Sequence, residues 1–142
     1  MITAKLDPSA VIGGKLPMMG SSGRVGKSEN FVCEACEFVD TFLDLSPDVA
    51  VILNIDEDHL DYFKTLDNLI KSFHKFASMA TKAVIYNGDD ANTLKAMEAF
   101  PARILLPSVW LKKMIIIPKI SLPYTALIMN LTLCTRVNFS AT

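Results

Sequence analysis

Two short stretches hold most of this chain's capacity for chemistry. Residues 32–40 (VCEACEFVD) carry Glu34, Glu37 and Asp40, and residues 54–63 (NIDEDHLDYF) carry Asn54, Asp56, Glu57, Asp58, His59 and Asp61. Carboxylates beside one imidazole, completed by water or phosphate oxygens, suit a hard divalent cation such as Mg2+ or Mn2+. So many acids cannot all find partners inside two loops, which also favours a cation. The same acids have a plainer use, because Asp58 or Asp61 can cap a helix beginning near residue 64.

A third stretch resembles a phosphate loop. Residues 19–31 (MGSSGRVGKSENF) end their polar part in Gly26-Lys27-Ser28. A phosphate loop needs glycine, four residues, then Gly-Lys-Ser/Thr. The first glycine would fall at position 21, which is Ser21, and Gly20 is one residue too early. The setting fails as well. Such a loop must open a helix, whose first amides hold the anion, whereas a β-favouring segment follows here. A flexible glycine-rich loop is the simpler reading, with Arg24 and Lys27 available to an anionic ligand. Cys33 and Cys36 have redox-motif spacing, but no helix start is placed to activate them, and no second Cys/His pair supports zinc. His74 lies near an apolar stripe and reads as structural.

The elements that must position these residues alternate. Residues 30–35 and 82–87 read as strands. The continuous apolar run 48–54 reads as a strand buried on both faces. Residues 9–14 are a short apolar run, and 15–28 a loop or irregular hairpin. Residues 64–80 read as a helix, with Leu66, Leu69, Ile70, Phe73 and Ala77 on one stripe. A second helix spans 89–99, with Asp89 or Asp90 placed to cap it. Strand-helix alternation implies crossover connections and a parallel sheet, an α/β fold. Both acidic clusters then fall beyond the carboxyl ends of strands, where open parallel sheets bind ligands.

Composition sets outer limits. The chain has 142 residues, 51% hydrophobic and 20% charged, with a formal net charge of -1. That is enough for one domain with a core, and it gives no basic field for nucleic acid. Three cysteines suit a reducing compartment, and no signal stretch is visible, so the cytoplasm is the expected location. Residues 101–142 differ from the rest, with five basic residues and no acid. The uncharged run 120–135 is shorter than the ~20 residues that span a bilayer, so no membrane span is expected.

Taken together, several motifs resemble the central domain of the Mur ligases. They are Asp7-Pro8 with Gly13-Gly14, EACE at 34–37, NIDEDHLDYF at 54–63 and YNGDD at 86–90, in order, over residues 2–98. The resemblance implies ATP-dependent joining of L-alanine to UDP-N-acetylmuramate in peptidoglycan synthesis, through an acyl phosphate and with Mg2+ or Mn2+. It assigns Glu34 and His59 to the metal and to catalysis, Asn54 to the nucleotide side, and Arg24 and Lys27 to the loop approaching the sugar-nucleotide substrate. EACE departs from the commoner Glu-Ala-Asp-Glu, so Cys36 stands where an acid often does.

The same resemblance places the family's true phosphate loop ahead of residue 1, and the domains for the UDP group and the amino acid outside this chain. Residues 1–98 are therefore expected to be an incomplete central domain, without ligase activity alone and lacking a central strand. The alternatives are a non-catalytic remnant or a weak metal-binding module, or a fragment of the related ligase that recycles murein peptides. For the apolar tail, residues 99–142, two readings stand: a shifted reading frame, or a divergent segment packing on the open sheet or a partner.

Overall fold

The computed structural model describes residues 1–18, 20–98 and 100 in full, and the backbone of Leu105–Pro107 and Leu131–Cys134. The expectations for the tail otherwise lie outside the described residues.

Seven strands form one sheet in the order β2-β1-β3-β7-β4-β5-β6. They are β1 (Ser9–Leu16), β2 (Ser21–Arg24), β3 (Phe31–Glu34), β4 (Val49–Ile52), β5 (Ala83–Tyr86), β6 (Leu105–Pro107) and β7 (Leu131–Cys134). β1 pairs with β3 in parallel, as do β4 with β5 and β5 with β6. β2 runs antiparallel to β1, closing the irregular hairpin, whose register shifts between Val11 and Leu16. β7 runs antiparallel to both β3 and β4. Five strands thus share one direction and two oppose it, so the parallel sheet expected from the alternation is mixed.

The expected helices are present: α2 (Leu66–Met79) and α3 (Ala91–Met97). Ahead of α2 lies a single turn, α1 (Leu60–Phe63), which periodicity does not signal. Thr65 caps α2 by accepting from the Asn68 amide at 3.3 Å. Neither Asp58 nor Asp61 takes that role, which corrects the plainer reading of those acids. Asp90 caps α3, its Oδ1 accepting from Thr93 N at 2.7 Å and from Ile55 N at 3.3 Å. One carboxylate therefore ties the loop after β4 to the start of α3.

The core lies between α2, α3 and one face of β4–β5. Leu69, Ile70, Phe73, Phe76 and Ala77 of α2 are buried with Phe42, Ala50, Ile52 and Val84. Phe42 stacks on Phe76 at 4.7 Å between centroids and meets Phe73 edge-on at 5.2 Å. Each such buried side chain contributes about 1.5–3 kcal/mol, well above the propensity differences within the helix, so packing holds α2 in place. β4 alternates fully and partly buried residues, so it is sealed on one face rather than both. His74 is structural as expected: Nδ1 lies 2.7 Å from the Ala96 carbonyl oxygen, and its ring packs on Phe100.

Candidate metal centre

β3 and β4 run in the same direction, so the segments leaving their carboxyl ends emerge side by side. After β3 comes a pair of 3-10 turns, Phe38–Asp44, kinked at Val39 and Asp40. After β4 comes the acidic loop and α1. Together they gather Glu37, Asp58 and His59, whose ligand atoms all lie within 4.8 Å of one another. His59 Nε2 is 3.7 Å from Glu37 Oε1, and its Nδ1 is 3.5 Å from Asp58 Oδ1. Both gaps exceed a good hydrogen bond. One ligand atom from each residue lies close enough that small side-chain shifts would let the set hold a cation.

The energetics point the same way. Glu37 is only 8% exposed. A buried carboxylate is costly unless charge or hydrogen bonds compensate it. Two carboxylates share one imidazole here, so negative charge is in excess whichever state the ring adopts. Oxygen donors with one nitrogen match Mg2+ or Mn2+ rather than zinc.

The surrounding backbone is strained. Val39, Asp40 and His59 adopt left-handed conformations, with φ of 54°, 59° and 50°, and Lys64 also has a positive φ of 69°. For a β-branched residue such as Val39 this is an outlier, of the kind that persists only where surrounding contacts impose it. Those contacts are visible. Asp40 accepts from the Tyr62 hydroxyl at 2.9 Å and from the Ser72 hydroxyl, pinning the kink to α1 and α2. Phe38 packs on the His59 ring at 4.8 Å. The Tyr62 hydroxyl has its pKa raised above 10.0, first by its hydrogen bond to the Asp40 carboxylate, then by desolvation and by that negative charge.

Not every residue singled out in the sequence joins this cluster. Glu34 ends β3, but its carboxylate turns to the neighbouring strand, where Oε2 accepts from the Gly13 amide at 2.5 Å. A Cβ on Gly13 would sit 2.7 Å from that oxygen, so the carboxylate would have to shift to accommodate it. Asn54 is half-buried just beyond β4. The acids within 4 Å of His59 are Glu37 and Asp58. Both belong to the acidic stretches read from sequence, but spacing alone does not tell which acid turns inward. Cys33 is buried and Cys36 exposed, both as thiols.

The 24–28 loop is folded around the chain's own Asp7. The Lys27 amide donates to Asp7 Oδ2 at 2.9 Å, and the Ser28 amide to the Asp7 carbonyl at 3.2 Å. The Gly26 amide donates to Ser9 Oγ at 3.0 Å, and Arg24 pairs with the Asp7 carboxylate. A Cβ on Gly26 would fall 2.1 Å from the Asp7 carbonyl oxygen. The amides a phosphate would need are already used. The Lys27 side chain is exposed, as is Val25.

Comparison with known proteins agrees with this architecture. Residues 15–109 match the family model described as the Mur ligase middle domain. The chain is similar to proteins named UDP-N-acetylmuramate–L-alanine ligase. It is 47% identical over 104 residues to that of Caldanaerobacter subterraneus subsp. tengcongensis, covering 72% of this chain and 23% of the relative. Against that of Bdellovibrio bacteriovorus it is 44% identical over 106 residues, covering 73% and 23%. Against that of Acetivibrio thermocellus it is 39% identical over 107 residues, covering 74% and 23%. The chain thus spans about a quarter of the length of the curated relatives it matches. Among the described residues, no helix is long and apolar enough to cross a membrane.

Proposed function

The chain belongs to the Mur ligase middle-domain family, and from that premise we propose that it is the ATP-handling segment of an enzyme joining L-alanine to UDP-N-acetylmuramate. Glu37, Asp58 and His59 would hold a Mg2+ or Mn2+ ion beyond the carboxyl ends of β3 and β4. When bound, that ion offsets the negative charge of a nucleotide triphosphate, so that a carboxylate nucleophile can approach a phosphorus atom. Glu34, three residues ahead of Glu37, is held by the Gly13 amide. Asn54 borders the nucleotide side. Lys27 offers its ammonium to the anionic sugar nucleotide, while Arg24 braces the loop against Asp7.

The observation that carries this reading is the nearly buried Glu37, gathered with Asp58 and His59 so that one ligand atom of each lies within 4.8 Å of the others. The relatives' names support the substrate class. Equilibrium titration with Mn2+ tests the site. The wild-type chain should bind one ion, and Glu37→Gln and His59→Ala should each weaken binding at least tenfold. Equal affinity in all three proteins would remove the metal from this cluster. Because the chain spans a quarter of its relatives' length, its purified form should show no ATP turnover dependent on L-alanine and UDP-N-acetylmuramate.

A further inference from the structure

The last strand in the sequence occupies the middle of the sheet. β7 lies between β3 and β4, which are not hydrogen-bonded to each other. Its residues register on both sides: Leu131 opposite Glu34 and Val51, Thr132 opposite Cys33 and Ala50, Leu133 opposite Val32 and Val49. Leu131 therefore sits where both neighbours end, just before the two segments that deliver Glu37 and His59. The family match stops at residue 109, so it does not account for this strand.

We propose that Leu131–Cys134 is the positioning element of the metal centre, joining the β1–β3 half of the sheet to the β4–β6 half and setting the separation of the two site loops. Side chains also link those loops, through Asp40 with Tyr62 and Ser72 and through Phe38 with His59. They act beyond the strand ends and lean on loops of strained backbone. The backbone ladder of β7 is what aligns the strands from which both loops leave. An extended apolar strand satisfies the inner edges of β3 and β4 through backbone bonds, so the slot should accept this segment even when it is not covalently attached. The inference rests on the metal reading only for its binding readout.

The test uses the intact chain, a chain ending at residue 130, and Thr132→Pro, which places proline in a central strand. Backbone hydrogen exchange at residues 31–34 and 49–52 and Mn2+ affinity are measured for each. Both variants should lose protection at β3 and β4 at least tenfold. Mn2+ affinity should fall tenfold or more, the range typical of losing support behind a ligand. A synthetic peptide of residues 128–137 should restore both properties to the shortened chain, and a scrambled peptide neither. Should the shortened chain unfold altogether, refolding by the peptide supports the proposal and failure to refold overturns it. Wild-type protection and affinity in Thr132→Pro would also overturn it. If the intact chain binds no Mn2+, the metal reading falls, and exchange protection with and without the peptide decides the role of the strand.

Discussion

The 24–28 loop and the Glu37–Asp58–His59 cluster form an instructive pair. The loop carries the letters of an anion site, yet its amides and Arg24 are taken up by Asp7 and Ser9. The cluster draws on two separate acidic stretches, and it brings a buried acid, a second acid and an imidazole to one point. Residue types and spacing already favour the cluster over the loop, and the structure supplies the reason. What separates them is whether polar groups are already satisfied within the chain. Self-satisfied groups act as fasteners, whereas groups left in excess charge are open to a ligand.

If the loop is a fastener, breaking it should cost stability and leave metal binding alone. Gly26→Ala has the largest expected effect, because the added Cβ meets backbone atoms of Asp7 and Pro8 at 2.1–2.5 Å. Urea unfolding should show a loss of about 3 kcal/mol. Asp7→Ala should cost about 1–2 kcal/mol by leaving the Lys27 amide and the Arg24 guanidinium without their charged acceptor. Mn2+ affinity in the Asp7→Ala protein should equal that of the wild type.

The cluster should behave in the opposite sense. Val39→Gly relieves a β-branched residue at φ 54° and should stabilise the fold by about 1 kcal/mol. It should also loosen the turn behind Glu37 and weaken Mn2+ binding severalfold. A smaller signal is expected from Tyr62. Its pKa is raised in the folded state, so the stability it adds is fully present below pH 10. That stability is lost as pH climbs through the raised value. Tyrosinate absorbance should show the late titration, and Tyr62→Phe should flatten the corresponding part of the stability profile.

Much of this was legible in the sequence. The apolar run 48–54, the stripe on 64–80 and the capping acid at 90 each obey a local rule, and β4, α2 and α3 follow them. The failed phosphate loop was legible too, from Ser21 at the glycine position and the strand that follows. Three features were not. The inward acid of EACE could not be chosen, because the kink at Val39 and Asp40 is imposed by Ser72 and Tyr62, distant in sequence. The burial of Phe76 depends on stacking with Phe42, which a single-helix stripe does not reveal. The place of β7 follows from an opening between two strands, a property of the whole sheet rather than of the residues LTLC.

A paramagnetic titration followed by amide NMR tests the central contrast most directly. Added Mn2+ should first broaden the signals of Glu37, Asp58 and His59, and inorganic phosphate should leave Gly26, Lys27 and Ser28 unshifted. Phosphate shifts centred on 26–28, with no Mn2+ broadening at His59, would contradict the account and reverse the roles of the two regions.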